Sequence, residues 1–271
     1  MTETNNHTFV VLAHCESPFL DDCLQSLKRQ THKSDILVAT STPSAFIERA
    51  AKKYSASVVI NEYPGGISGD WSFALRSART KYVTLAHQDD IYFPEYTEQC
   101  LKRMRVVKDA LILFTDYAEL VGNTYLANNV NKILKKILLS PFLLKKSFRS
   151  SFWRKGLLIL GNSFCCPSVM YNRENIGEFE FSKDFAFNLD WDAWLRLASS
   201  RGSFTYINKR LMAHRIHASS QTTLCDQNGK RLDEERKLFE RLWPSPLARV
   251  LSCVYALGAR SNRINERGPL K

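Results

Sequence analysis

Phe9 to Ala13 is an unbroken apolar run containing β-branched residues, the pattern of a strand buried on both faces. Ser17 then offers a side-chain cap, Pro18 fits a first helical position, Asp21 and Asp22 fall in a first turn, and Lys28 and Arg29 in a last. That spacing predicts a helix from Pro18 to Gln30. The alternation continues with Ile36–Thr40 as strand, Ser44–Tyr54 as helix, Val58–Ile60 as strand, Asp70–Arg79 as helix and Tyr82–Ala86 as strand. A helix opening at Pro94 runs towards Val107, and Leu111–Phe114 forms a further strand. Short apolar runs alternating with amphipathic helices call for a mostly parallel sheet covered on both faces, an α/β fold. Pro167–Tyr171, Phe204–Ile207 and Leu211–Ile216 read as strands that extend the sheet, Leu189–Ser199 as a helix, and Leu232–Ala259 as a helical tail behind a turn at 225–230.

The 271 residues allow one large domain or two small ones, and neither an internal repeat nor a linker divides them. The expected organisation is a main domain over 1–220 and a helical extension over 221–271. Within the main domain, 1–118 is a nucleotide-binding half, 119–165 a basic apolar insertion and 166–220 a second half. Charge sharpens this division. The net charge is +11, and no Asp or Glu occurs from Leu120 to Asn172, where Lys132, Lys135, Lys136, Lys145, Lys146, Arg149, Arg154 and Lys155 are interleaved with Ile, Leu, Phe and Trp. Such a segment suits a solvated helical insertion, a phosphate-facing wall, or an amphipathic surface on an anionic membrane. It carries no recognised nucleic-acid motif, so nucleic acid is not an expected partner.

No stretch reaches the apolar length of a membrane span, and the start of the chain lacks a signal-peptide core. The seven cysteines form no C-x-x-C pair, which argues against a zinc site or a disulfide framework and suits reduced, buried thiols. The expected location is cytoplasmic, or peripheral on the cytoplasmic face of the membrane.

Candidate chemistry begins where the Tyr82–Ala86 strand ends, at His87-Gln88-Asp89-Asp90. In an open α/β sheet, ligands bind at the carboxyl ends of strands, and clustered carboxylates there can hold a divalent cation that bridges phosphate oxygens. The same acids would also serve as first-turn charges for the following helix. Gly65-Gly66-Ile67-Ser68-Gly69-Asp70-Trp71 precedes the helix leading into that strand, and its glycines allow close backbone approach to a ligand or a plain surface turn. Leu189-Asp190-Trp191-Asp192-Ala193-Trp194-Leu195-Arg196 and His214-Arg215-Ile216-His217-Ala218-Ser219-Ser220 are the remaining signals. A carboxylate at a helix start can take a proton from a hydroxyl, and strand alternation puts Arg215 and His217 on one face.

Together these segments resemble the family 2 glycosyltransferases over Phe9 to about Ser220. His87-Gln88-Asp89-Asp90 looks like a variant of the family's Asp-x-Asp-Asp motif, with His87 in place of the first Asp. Leu189-Asp190-Trp191 looks like its Glu-Asp-Trp helix start, with Leu189 in place of one acid. The second strand ends in Thr40-Ser41-Thr42 where the family usually carries Asp-Asp-Gly-Ser. Gly161-Asn162-Ser163-Phe164 resembles the segment beneath the acceptor.

The resemblance implies a GT-A type fold and an inverting, metal-dependent transfer from a nucleotide diphosphate sugar, most readily a UDP-sugar, to a glycan or lipid-linked glycan acceptor. It implies Asp190 as catalytic base. It implies His14, Glu16, Thr40, Gly66, Ser68, Trp71, His87, Gln88, Asp89 and Arg215 as donor-binding residues. Asp89 is the implied ligand of Mg²⁺ or Mn²⁺, and His217 offers a further metal or phosphate contact. Two other readings stay open. A nucleotidyltransferase would need a basic signature in the first loop, which His14-Cys15-Glu16-Ser17 lacks, and the departures at Thr40, His87 and Leu189 would suit a degenerate transferase acting as a scaffold.

Overall fold

The computed structural model describes residues 6–126, 135–217 and 230–266. Its strands are β1 (His7–Ala13), β2 (Asp35–Thr40), β3 (Ser57–Ile60), β4 (Tyr82–His87), β5 (Ile91–Tyr92), β6 (Ala110–Val121), β7 (Thr124–Leu126), β8 (Ser147–Phe148), β9 (Met170–Asn172) and β10 (Ser203–Ile216). The first half carries α1 (Leu20–Lys28), α2 (Ala45–Lys53), α3 (Gly66–Ser77) and α4 (Tyr96–Val106). The second half carries Leu189–Ser199, here the Asp190 helix, and two C-terminal helices, Lys230–Leu242 and Ser245–Glu266.

One sheet runs β3-β2-β1-β4-β9-β6-β10-β5, with β7 on β6 and β8 on β10. β1 pairs in parallel with β2 and β4, β2 with β3, and β6 with β10; β9 runs antiparallel between β4 and β6. The sheet is thus mostly parallel with helices on its faces, the expected GT-A type architecture. Phe9, Val10, Val11, Val83 and Leu85 are wholly buried, as strands covered on both faces require.

Several boundaries differ from expectation for local physical reasons. α1 begins at Leu20, because the Ser17 hydroxyl accepts the Phe19 N–H at 3.3 Å in a turn of its own. α3 begins at Gly66, which takes the glycine-serine segment into its first turns; Gly66 itself has φ of 71°. The expected strands Phe204–Ile207 and Leu211–Ile216 are one strand, β10, with register shifts between Ile207 and Met212. β6 reaches Val121 because β10 pairs with it to the end. Cys166–Ser168 is a 3₁₀ turn, since Pro167 has no N–H for a ladder, and the strand starts only at Met170. The turn residues 225–229, with Ser219, Ser220 and Lys132, lie outside the described residues.

The basic insertion is stitched to this frame. Ser147–Phe148 pairs with β10, while Ser151 Oγ donates to Ala198 O at 2.7 Å and the buried Arg154 donates to Ser200 O at 2.7 Å. These donors satisfy carbonyls at the end of the Asp190 helix that have no intrahelical partner. At the other end of the chain, Leu238, Phe239 and Ala248 of the C-terminal helices join the same core as Trp191 and Trp194.

His7 opens β1 fully buried, its Nδ1 at 2.9 Å from Ser34 Oγ and Nε2 at 3.0 Å from Thr84 Oγ1. Burial, helped by the charge of His32, lowers its pKa from 6.5 to about 3. The unfolded chain therefore binds a proton that the folded chain refuses between those values. Stability from this residue is whole above pH 6.5 and is lost as pH falls towards 3, with a slope of up to about 1.4 kcal/mol per pH unit. Urea unfolding across that range should show a shallower decline for His7→Gln than for the wild type; parallel declines would exclude His7 as a source.

Candidate active site

The carboxyl ends of β1, β2 and β4 meet at one edge of the sheet, where their loops interlock. Gln88 donates from Nε2 to His14 O at 2.9 Å, and its Oε1 accepts the His14 N–H at 3.2 Å. Cys15, left-handed at φ 53°, donates its N–H to Thr42 Oγ1 at 2.7 Å. Thr40 is buried and its hydroxyl accepts the Thr42 N–H at 3.0 Å, while Glu16 is exposed in the loop after β1. Below these loops lies a cleft lined by Ala13, His14, Thr40, Asn61, Asp70 and Trp71. Ser68 is buried in the adjoining turn of α3.

Asp70 and Asn61 are functional candidates that sequence reasoning did not single out. Asp70 accepts from Ser41 Oγ at 2.9 Å and from Asn61 Nδ2 at 2.8 Å, so a carboxylate from α3 stands at the end of β2, where the chain has Thr40-Ser41-Thr42. Asn61 directly follows β3, and that strand-end position was the available signal.

Beside the cleft, His87, Asp89 and Asp90 bring potential ligand atoms within 4.8 Å of one another. Trp71 packs against His87 with ring centroids 5.3 Å apart. Asp90 is wholly buried, and its Oδ1 accepts His214 Nδ1 and the Arg215 N–H, each at 2.9 Å. His217 Nε2 lies 2.9 Å from Asp89 Oδ2. Arg215 directs Nε to Asp89 O at 2.8 Å and Nη2 to Asp22 Oδ2 at 3.0 Å, with its guanidinium over the Phe19 ring. The end of β10 is therefore folded onto the end of β4. His217 sits against Asp89 outside the three-residue cluster.

Burial alone would raise the Asp89 carboxyl, but the charge of His87, the hydrogen bond from His217 and the charge of His214 outweigh it and hold the group below its ordinary value. For His214, burial works against protonation, yet the charge and hydrogen bond of Asp90 push it up to about 9. The cluster fits a divalent cation on two grounds. Asp89 stays ionised, and the buried atoms His87 Nε2 and Asp90 Oδ2 have no hydrogen-bond partner, which is costly for a polar group with nothing to bind.

Asp190 stands in the first turn of its helix, half-buried, and accepts Asn162 Nδ2 at 2.6 Å and its neighbour's Trp191 N–H at 2.8 Å. Burial raises its pKa, and those two hydrogen bonds only partly offset the effect. A carboxylate so raised is a better proton acceptor than an exposed one. His87 packs on Trp71, and Trp71 joins the core that holds Val83, Leu85 and Trp191, so His87 and the Asp190 helix lie on the same side of the sheet.

Comparison with known proteins agrees with the fold and the strand-end cluster. Residues 8–175 match the model of glycosyl transferase family 2, and the chain belongs to that family. It is 24% identical over 216 residues to the uncharacterized glycosyltransferase MJ1057 of Methanocaldococcus jannaschii, spanning 76% of this chain and 70% of that protein. In structure it is similar to the mannosyltransferase PcManGT of Pyrobaculum calidifontis in complex with GDP-Man and Mn²⁺, with TM-score 0.61 and 13% identity over 99% of this chain and 77% of that one. It is similar to S. aureus TarS 1-349 in complex with UDP-GlcNAc, with TM-score 0.60 and 13% identity over 98% and 76%. Against the longer TarS chain the TM-score is 0.56 at 13% identity, and the match spans 88% of this chain but 43% of TarS.

Proposed function

We propose that this glycosyltransferase moves a sugar, with inversion, from a UDP-sugar to a glycan or lipid-linked glycan acceptor in surface polysaccharide synthesis. The observation that carries the reading is that the strand-end cluster of His87, Asp89 and Asp90 and the Asp190 helix lie on one side of the sheet, with the Asp89 carboxyl held low and the Asp190 carboxyl raised. The cleft between β1, β2 and α3 receives the nucleoside, lined by His14, Thr40 and Trp71, with Glu16 in the loop after β1 and Gly66 and Ser68 in the first turn of α3 as further donor contacts. Gln88 holds the two loops that flank the donor. Relatives with UDP-GlcNAc and with GDP-Man and Mn²⁺ favour a nucleotide-sugar and a divalent metal.

In the proposed reaction the Asp190 carboxylate takes the acceptor O–H proton as that oxygen attacks the anomeric carbon. The bond from that carbon to the diphosphate oxygen breaks, its electron pair leaves with the nucleoside diphosphate, and the centre inverts. Mg²⁺ or Mn²⁺, held by Asp89 with His87 and His217 beside it, would supply charge neutralisation to the diphosphate. Arg215 adds a fixed positive charge and ties the Asp89 backbone to β10.

The basic insertion supports a membrane-bound acceptor. Among the described residues no helix is long and apolar enough to cross a membrane. Leu144 is 95% exposed and Phe152 78%, with Leu143, Ile137 and Trp153 also exposed, and Lys145, Lys146 and Lys155 are interspersed with them. Apolar side chains set among cations suit the headgroup region of an anionic leaflet.

Calorimetry with UDP should show binding that requires Mn²⁺ or Mg²⁺ and weakens by at least about tenfold in Asp89→Asn. Binding that persists unchanged in chelator would remove the metal from the donor site, and binding of GDP in place of UDP would reassign the nucleotide. Asp190→Asn should lower turnover by about 10² to 10⁴ with nucleotide affinity retained, and NMR of the product should show the opposite anomer to the donor. An active Asp190→Asn enzyme would sink the base assignment, and a retained anomer the single displacement. Flotation with phosphatidylglycerol vesicles at low salt should carry the protein upward and fail for Leu144→Asp/Phe152→Asp; equal recovery with neutral vesicles would remove the electrostatic argument.

A further inference from the structure

Glu234, on the first C-terminal helix, is buried and uses both carboxylate oxygens on backbone. It accepts the N–H groups of Ala186, Phe187 and Asn188 at 2.8, 2.9 and 3.0 Å. Those three donors belong to the segment that enters the Asp190 helix, and Asn188 is its N-cap residue. A carboxylate in that place also faces the positive end of the helix dipole.

The second C-terminal helix packs against the residues that flank the Asp190 carboxylate. Its Tyr255 ring packs on Gly161, which has φ of 138°, and on Trp191 at a centroid distance of 5.7 Å. A Cβ at position 161 would overlap the Tyr255 ring, so only glycine admits this contact. Gly161 immediately precedes Asn162, whose amide donates to Asp190 Oδ2 at 2.6 Å. Asp192, two residues after Asp190, accepts from Arg241 Nη1 at 2.6 Å, again from the first C-terminal helix.

We infer that the two C-terminal helices, which lie outside the family-matched segment, set the position of the Asp190 carboxylate, with Glu234 as the positioning residue for its helix and Tyr255 for its partner Asn162. The inference rests on Asp190 being the base of the proposed transfer. Proton transfer to a carboxylate depends on the placement of its oxygens, and misplacement by about 1 Å can cost on the order of 10²-fold in rate. A loop freed at 186–188 would displace the helix start and Asp190 with it. The donor cleft, built from β1, β2, α3 and the end of β4, would stay as it is.

The test is Glu234→Gln in the full chain. Gln keeps the size but replaces one acceptor oxygen with a donor that faces an N–H. We expect kcat to fall by at least about tenfold with donor KM within about twofold of wild type, together with faster amide exchange at 186–188. Tyr255→Leu, which leaves Glu234 in place, should give the same kcat-only loss and serves if Glu234→Gln does not fold. Unchanged kcat in both variants, or a matched loss of kcat and donor binding, would overturn the inference. Amide exchange and the NMR titration of the Asp190 carboxyl also separate the two claims. If the wild type transfers no sugar while Glu234→Gln loosens 186–188 and returns Asp190 towards its ordinary pKa, positioning stands and the transferase reading fails; unchanged exchange overturns the positioning itself.

Discussion

A carboxylate with no exposure to water, Asp90, joins the two ends of the chain's catalytic layer. A buried charge costs several kcal/mol unless it is paired and hydrogen-bonded. Asp90 finds its partners far along the sequence, in the His214 ring and the Arg215 N–H at the end of β10, which is separated from β4 by the two strands β9 and β6. Once those bonds form, Arg215 reaches the Asp89 carbonyl and His217 the Asp89 side chain. The raised pKa of His214, about 9, keeps that imidazole charged against Asp90 at neutral pH. One neutralised pair thus fixes β10 over β4, and the residues that face a ligand are carried by that fixation.

Much of this layer was legible because strand and helix periods report directly on burial. Phe9–Ala13 and Tyr82–Ala86 read as strands and are so, because short, largely apolar segments between amphipathic helices suit strands buried on both faces. The His87-Gln88-Asp89-Asp90 cluster was visible from its place at a strand end. Less legible were features set by tertiary pairing. β6 continues through Thr115, Asp116 and Glu119, polar residues that interrupt the apolar pattern, because β10 pairs alongside it. Glu234 lies in the charged run Asp233-Glu234-Glu235-Arg236, where nothing local distinguishes it from the exposed Asp233 and Arg236. Its role appears only when the helix docks and three backbone donors meet its carboxylate.

The two central carboxylates are driven apart by their surroundings. Asp89 is surrounded by imidazoles and stays below its ordinary value, while Asp190 sits among Trp191, Asn162 and apolar core and is raised. Divergent environments for paired acids assign divergent tasks: an ionised group suits a cation or a donor phosphate, and a more basic one suits a proton. The absence of an acid at Thr40-Ser41-Thr42 follows the same economy of placement, because Asp70 brings a carboxylate to that point from the neighbouring helix.

The family-matched segment, 8–175, contains the cleft, the strand-end cluster and Asn162, but neither Asp190 nor Glu234. That division has a chemical reason. A nucleotide diphosphate presents the same base, ribose and charge to every enzyme that uses it, so one loop geometry at one sheet edge serves many donors. Acceptor hydroxyls differ in stereochemistry, linkage and carrier, and in the proposed reaction the base must be placed to suit each one. A carboxylate mounted on a helix whose start is held by Glu234 and whose end is held by Arg154 can be repositioned by changes in the appended helices and the insertion. The donor half need not move when they change. The basic apolar insertion and the C-terminal helices therefore hold the same element from its two ends, apart from the buried Asp90 pair that joins β10 to β4.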